Sequence, residues 1–260
     1  MATATIVALG LAAGFHGALY GAYKDSPHES FLLRRFAREI VIALGVALGL
    51  AWLADARDES MFVLYVSIFA LTRTVTEFWK LFVRVERQEG FRIPTQIHCV
   101  TGIVHNPILR LLLGAGFLSS IYGIYALGTC FPDFWPTGVR GLLIGLSIGT
   151  AEAIAGAYKD GSIEGFSWRK FAKSPCFGAV GGVIASGHTT DPAFLLLAAI
   201  GSMRMFLELL FKMLVRDYVP GKFKSMTGPY IDWMARRQYF VAPYAITWLL
   251  YVALCSHSDW

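Results

Sequence analysis

The chain has 260 residues, of which 55% are hydrophobic and only 16% charged, with a mean hydropathy of +0.53. That balance excludes a soluble domain and predicts an all-α, polytopic integral membrane protein. A net charge of +5 would suit nucleic acid in a soluble chain, but here the cations fall in loops between apolar runs, so no nucleic-acid partner is expected.

Apolar runs fall at 4–22, 39–54, 61–83, 108–128, 138–157, 175–188, 193–215 and 238–255. Each approaches the roughly 20 residues needed to cross a bilayer core, which predicts eight transmembrane helices. The second and sixth runs are short, and the polar stretches Glu29 to Arg38 and Glu164 to Lys173 are expected to begin those helices in the headgroup layer. The first run follows Met1 without a basic segment before it, so it is expected to be a retained helix rather than a signal peptide.

Residues 21–38, GAYKDSPHESFLLRRFAR, recur as GAYKDGSIEGFSWRKFAK at 156–173, a shift of 135 positions. The likeness continues, with Arg73 and Glu77 answered by Arg204 and Glu208, and Tyr125 by Tyr251. This predicts an internal duplication: a four-helix repeat at 1–128, a connecting turn at 129–135 and a second four-helix repeat at 136–260. An even number of spans per repeat sets the two halves parallel, related by a pseudo-two-fold axis along the membrane normal.

Of the 23 Lys and Arg, 19 sit in or beside the loops after spans 1, 3, 5 and 7, among them Arg216, Lys222 and Lys224. Those loops are expected on the cytoplasmic or matrix side, with both termini on the outer side.

Arg73 and Arg204 fall near the middle of spans 3 and 7, with Glu77 and Glu208 four residues on. That spacing places each pair on one helix face, where the two charges can neutralise each other. A charge at the bilayer centre costs about 2.5 to 3.5 kcal/mol on insertion scales, so all four are expected to face protein or water. They are either a central polar site, with guanidinium groups suited to a carboxylate or phosphate, or a buried ion-pair lock between the repeats.

The halves disagree at His16 in span 1 and Glu152 in span 5, whose aligned residues are Ala151 and Gly17. Both lie at mid-membrane, and an unpaired Glu near a His could relay protons or bind a cation. With the arginine and glutamate pairs they complete the expected central polar site.

In the duplicated segment, Phe31, Phe36, Phe166 and Phe171 can sit at the acyl boundary. Lys24, Arg34, Arg35, Arg38, Lys159, Arg169, Lys170 and Lys173 can then reach anionic phospholipid or phosphate. Lys24 with Asp25 and Glu29 is expected to close a charged turn that ends the first helix. Glycines at 10, 14, 17 and 21, at 141, 145 and 149, and at 178, 181 and 182 predict close helix packing, within the chain, in a homo-oligomer or against partner membrane subunits.

Four cysteines and six histidines form no metal-ligand pattern, so no metal or other cofactor is expected. Cys130 and Cys255 end corresponding helices, which leaves a disulfide between them open. No catalytic signature is present, which points away from an enzyme. The sequence favours a transporter or channel-like protein for a small anionic or proton-coupled solute. A structural or assembly subunit that packs helices and binds anionic lipid is the alternative.

Overall fold

A computed structural model describes residues 1–29, 31–89, 91–99, 102–132, 134–214 and 236–257. Arg216, Lys222 and Lys224 lie outside the described residues, so their place in the basic loops is not seen.

The described chain is all-α apart from one two-stranded ribbon. Its long helices are α1 (Thr3–Glu29), α2 (Leu33–Trp52), α3 (Met61–Phe78), α4 (Pro107–Thr129), α5 (Thr137–Glu164), α6 (Trp168–Ser186), α7 (Pro192–Glu208) and α8 (Val241–Ser256). Among the described residues, six helical segments are long and apolar enough to cross a membrane: those built on α1, α3, α4, α5, α7 and α8. The protein is therefore an integral membrane protein with at least these six apolar helices. α2 and α6 are of similar length, 20 and 19 residues, but they open on charged side chains such as Arg34, Arg35 and Arg38 or Arg169, Lys170 and Lys173.

Local chemistry fixes several helix starts. Asn106 accepts from the backbone N–H of Ile108 and Leu109 at the start of α4, and Asp191 accepts from Ala193 and Phe194 at the start of α7. Each cap is followed by a proline, which lacks the N–H that would be unsatisfied there. Two ends differ from expectation. α1 runs on to Glu29 and α5 to Glu164, so both GAYKD copies lie within helices rather than in turns after them. The Lys24 ammonium does approach the Asp25 carboxylate, at 3.7 Å, but no break follows, because Tyr23 and Lys24 are compatible with helix. α5 stops only at Gly165, whose φ of 81° falls in a region that other residues rarely adopt.

The core is centred on α3 and α7, which pack directly on each other. Every side chain of α3 from Phe62 to Ala70 is buried. The two backbones approach so closely that a Cβ added to Gly201 would lie 2.2 Å from the carbonyl oxygen of Val66. Around this pair, α1 packs on α2, α3 and α8, and α5 packs on α6, α7 and α4. The glycine runs are used inside the chain: a Cβ on Gly145 would lie 2.0 Å from the Gly178 carbonyl oxygen, and one on Gly182 would lie 2.0 Å from that of Gly141.

Two features had no sequence signal. α3 and α7 each continue into one π-helical turn, Trp79–Val83 and Leu209–Met213. After the first of these the chain folds back as a ribbon, pairing His98 with Ile103 and Cys99 with Gly102. Arg110 anchors that segment by donating to the carbonyl of Arg84, which also accepts from the Gln96 side chain at 2.7 Å.

Candidate functional site

α3 and α7 bring Arg73 and Glu208 together at 2.6 Å, across 135 residues of sequence. The pair is well covered, with side-chain exposures of 14% and 3%. The Arg73 guanidinium also lies over the rings of Tyr20 and Phe69, at 5.6 and 5.9 Å. Glu39, from the start of α2, is buried within electrostatic range of Arg73 and accepts from the Thr76 hydroxyl at 3.4 Å.

This pairing corrects the expectation of one Arg–Glu pair within each helix. Glu77 sits four residues from Arg73 on the same helix face but is bonded to Lys80, at 3.0 Å, because that ammonium is one turn away on the same helix. Arg204 instead meets Glu152 of α5 at 3.0 Å, and both are partly accessible, at 36% and 23%. Glu152 is therefore a paired carboxylate, where the sequence suggested an unpaired one.

His16 and Glu152 do not form a common site. His16 is fully buried, with Nδ1 3.0 Å from the Tyr65 hydroxyl. Phe69 and Tyr244 enclose its ring edge-on, at centroid distances of 5.0 and 4.9 Å, and Trp248 lies at 5.9 Å. The aromatic residues of α3 and α8 thus take up the space through which His16 would have reached another helix.

A cavity of about 580 Å³ lies between α3, α4, α5, α6 and α7. Arg73, Glu77, Glu152 and Arg204 line it, as do Lys159 and Lys170 near the α5–α6 connection. Its lining thus carries four Lys or Arg cations and two carboxylates, with Arg73 paired to Glu208, Arg204 to Glu152 and Lys170 to Glu164. Phe82, Leu113, Phe117, Ile121, Ile148 and Ile200 form its apolar wall, and the ribbon contributes Gln96, Ile97 and His98. A chamber of this size with a few charged groups converging on it can accept a small anion.

The basic residues of the duplicated segment divide into two groups. Arg34, Arg38, Arg169 and Lys170 are exposed. Lys24 is largely covered, near the Tyr20 ring, and Lys173 lies 3.7 Å from the centroid of Phe211. Arg35 and Lys159 are half-buried. Cys130, Cys176 and Cys255 are free thiols, so Cys130 and Cys255 are not joined; Cys255 lies instead 3.9 Å from Nε2 of His188.

Sequence reasoning missed Glu39 and the cavity. Glu39 had a signal: it is the last charge before the apolar run of α2, and the 135-residue shift aligns it with the neutral Ser174. The cavity had none, since its walls come from five helices. Compared with known protein families, curated proteins and solved structures, the chain matches none of them.

Proposed function

We propose that the protein carries a small anionic solute across its membrane. The observation that supports this most is the cavity, whose wall brings together Arg73, Arg204, Lys159 and Lys170 with Glu77 and Glu152. A chamber with charged side chains on an otherwise apolar wall, at the level of the arginines within α3 and α7, has a use in transport, whereas a scaffold would be more stable with that volume packed. The outer portions of α3 and α7 are tightly packed, with Phe62 to Ala70 and Phe194 to Leu196 buried.

In this reading the chain crosses the bilayer eight times, as two parallel four-helix repeats about an axis between α3 and α7. The neighbour relations support it: α1 on α8 corresponds to α5 on α4, and α1 on α2 to α5 on α6. The basic ends face the cytoplasm or matrix, and exposed Arg34, Arg38, Arg169 and Lys170 contact anionic phospholipid there. The alternative, an assembly subunit, loses some support because several of the glycines proposed to meet partner helices already pack inside the chain.

The test is flux in reconstituted vesicles against acetate, octanoate, chloride and phosphate. At least one anion should enter saturably, and Arg204→Gln should reduce its rate by at least about tenfold through loss of the cavity's accessible guanidinium. Absence of flux for all four anions, or an unchanged rate in the variant, would refute the carrier reading.

A further inference from the structure

The two halves surround their central arginines differently, and four aligned positions account for it. The 135-residue shift sets His16 and Tyr20 against Ala151 and Ala155, Gly17 against Glu152, and Glu39 against Ser174. Beside Arg73, His16 and Tyr20 are fully buried and fill the space with Tyr244 and Trp248. Arg73 there is bonded to Glu208 of α7, with Glu39 of α2 as a second carboxylate in range, and Gly17 leaves room for Glu39: a Cβ on Gly17 would lie 3.9 Å from Glu39 Oε2. Beside Arg204, the alanines leave the space open, Ser174 lines it, and the carboxylate comes from α5 as Glu152.

The consequence is a difference in access. Arg73 is held by a Glu208 that is only 3% exposed, while Arg204 is held by a Glu152 that is 23% exposed on the wall of the cavity. Arg73 reaches the chamber wall but its partner Glu208 is buried behind it, whereas Arg204 and Glu152 both line the chamber, so the second pair can be opened from there without unpacking a helix.

We propose that the cavity binds an amphipathic monocarboxylate whose carboxylate replaces Glu152 on Arg204 and whose apolar tail lies along Phe82, Leu113, Phe117 and Ile121. This inference rests on the anion-carrier reading and names its substrate class. The seat already holds a carboxylate on a guanidinium at 3.0 Å, so a ligand carboxylate needs no new geometry. A phosphate dianion would bring more negative charge beside Glu77, which lines the same chamber. A fully hydrophilic anion would leave the aromatic and branched wall in contact with water, whereas an alkyl tail covers it. Glu152 then acts as a tethered competitor: it returns to Arg204 as the ligand leaves, which speeds release.

Binding of radiolabelled octanoate to the full chain in phosphatidylcholine nanodiscs tests this. Octanoate should bind saturably, acetate should compete at least about tenfold less well, and inorganic phosphate should not compete. Glu152→Gln should bind octanoate about tenfold more tightly and release it more slowly, because its neutral amide competes weakly for the guanidinium. Ala155→Tyr, which introduces the residue found at the aligned position of the other half, should abolish binding while the protein keeps its elution volume. Equal or weaker octanoate binding by Glu152→Gln would overturn the exchange. Displacement of octanoate by phosphatidylglycerol in the disc would make a lipid the occupant and also overturn it. If acetate or chloride is transported but octanoate does not bind, the amphipathic class fails while the carrier reading stands; absence of all anion flux removes the carrier reading itself.

Discussion

Arg73 and Glu208 form a buried ion pair at 2.6 Å between helices that lie on opposite sides of the connecting turn. Removing one partner of such a pair leaves a charge buried without compensation. Glu208→Gln and Arg73→Met should each lower unfolding stability by about 3 to 5 kcal/mol, measured by denaturant titration in mild detergent. The double variant Arg73→Met with Glu208→Leu should recover most of that loss. Additive losses in the double variant would show that the pair itself is not the source.

Close backbone contact between α5 and α6 makes a second, graded prediction. Gly145→Ala would drive its Cβ to 2.0 Å from the Gly178 carbonyl oxygen, and backbone cannot rotate away as a side chain can. It should cost about 1 to 3 kcal/mol or more, seen as a lower melting temperature. Gly156→Ala, with nothing within 4 Å of its Cβ, should leave the melting temperature unchanged or raise it slightly.

Glu59 precedes α3 and accepts from the Thr189 hydroxyl at 2.9 Å. Burial holds its carboxyl above the ordinary value of 4.5; the Thr189 bond opposes this, and Asp191 and Asp58 reinforce it. An acid whose folded pKa lies above its unfolded value binds more protons when folded. Its contribution to stability is full below the unfolded value and is lost as pH rises through the folded one. Glu59→Gln keeps an oxygen for Thr189 and removes the titration. The melting temperature of the natural protein relative to this variant should fall as pH rises above the ordinary carboxyl value of 4.5, and a constant difference would contradict the assignment.

The free thiols provide a test of topology. Cys130 is exposed and Cys255 is half-buried near His188. In sealed vesicles, an impermeant maleimide should label Cys130 from the side opposite the Arg34 and Arg169 segments. Mobility on a gel should be the same with and without reductant. Labelling of Cys130 from the basic side would invert the orientation.

The sequence determined the membrane class, because no soluble core can account for this many apolar residues. It marked the helices, since capped apolar runs such as those after Asn106 and Asp191 have few other ways to satisfy their backbone in lipid. It also singled out four charges within apolar runs that the fold joins in ion pairs: Arg73, Arg204, Glu152 and Glu208. Only the tertiary structure decided their partners. Helical spacing offers Glu77 to Arg73, yet the contact between α3 and α7 brings Glu208 closer, and a pair between helices has no signature along the chain. The same is true of the cavity. Ala151 and Ala155 become its walls, and His16 a closed aromatic cluster, because of what the neighbouring helices place opposite them.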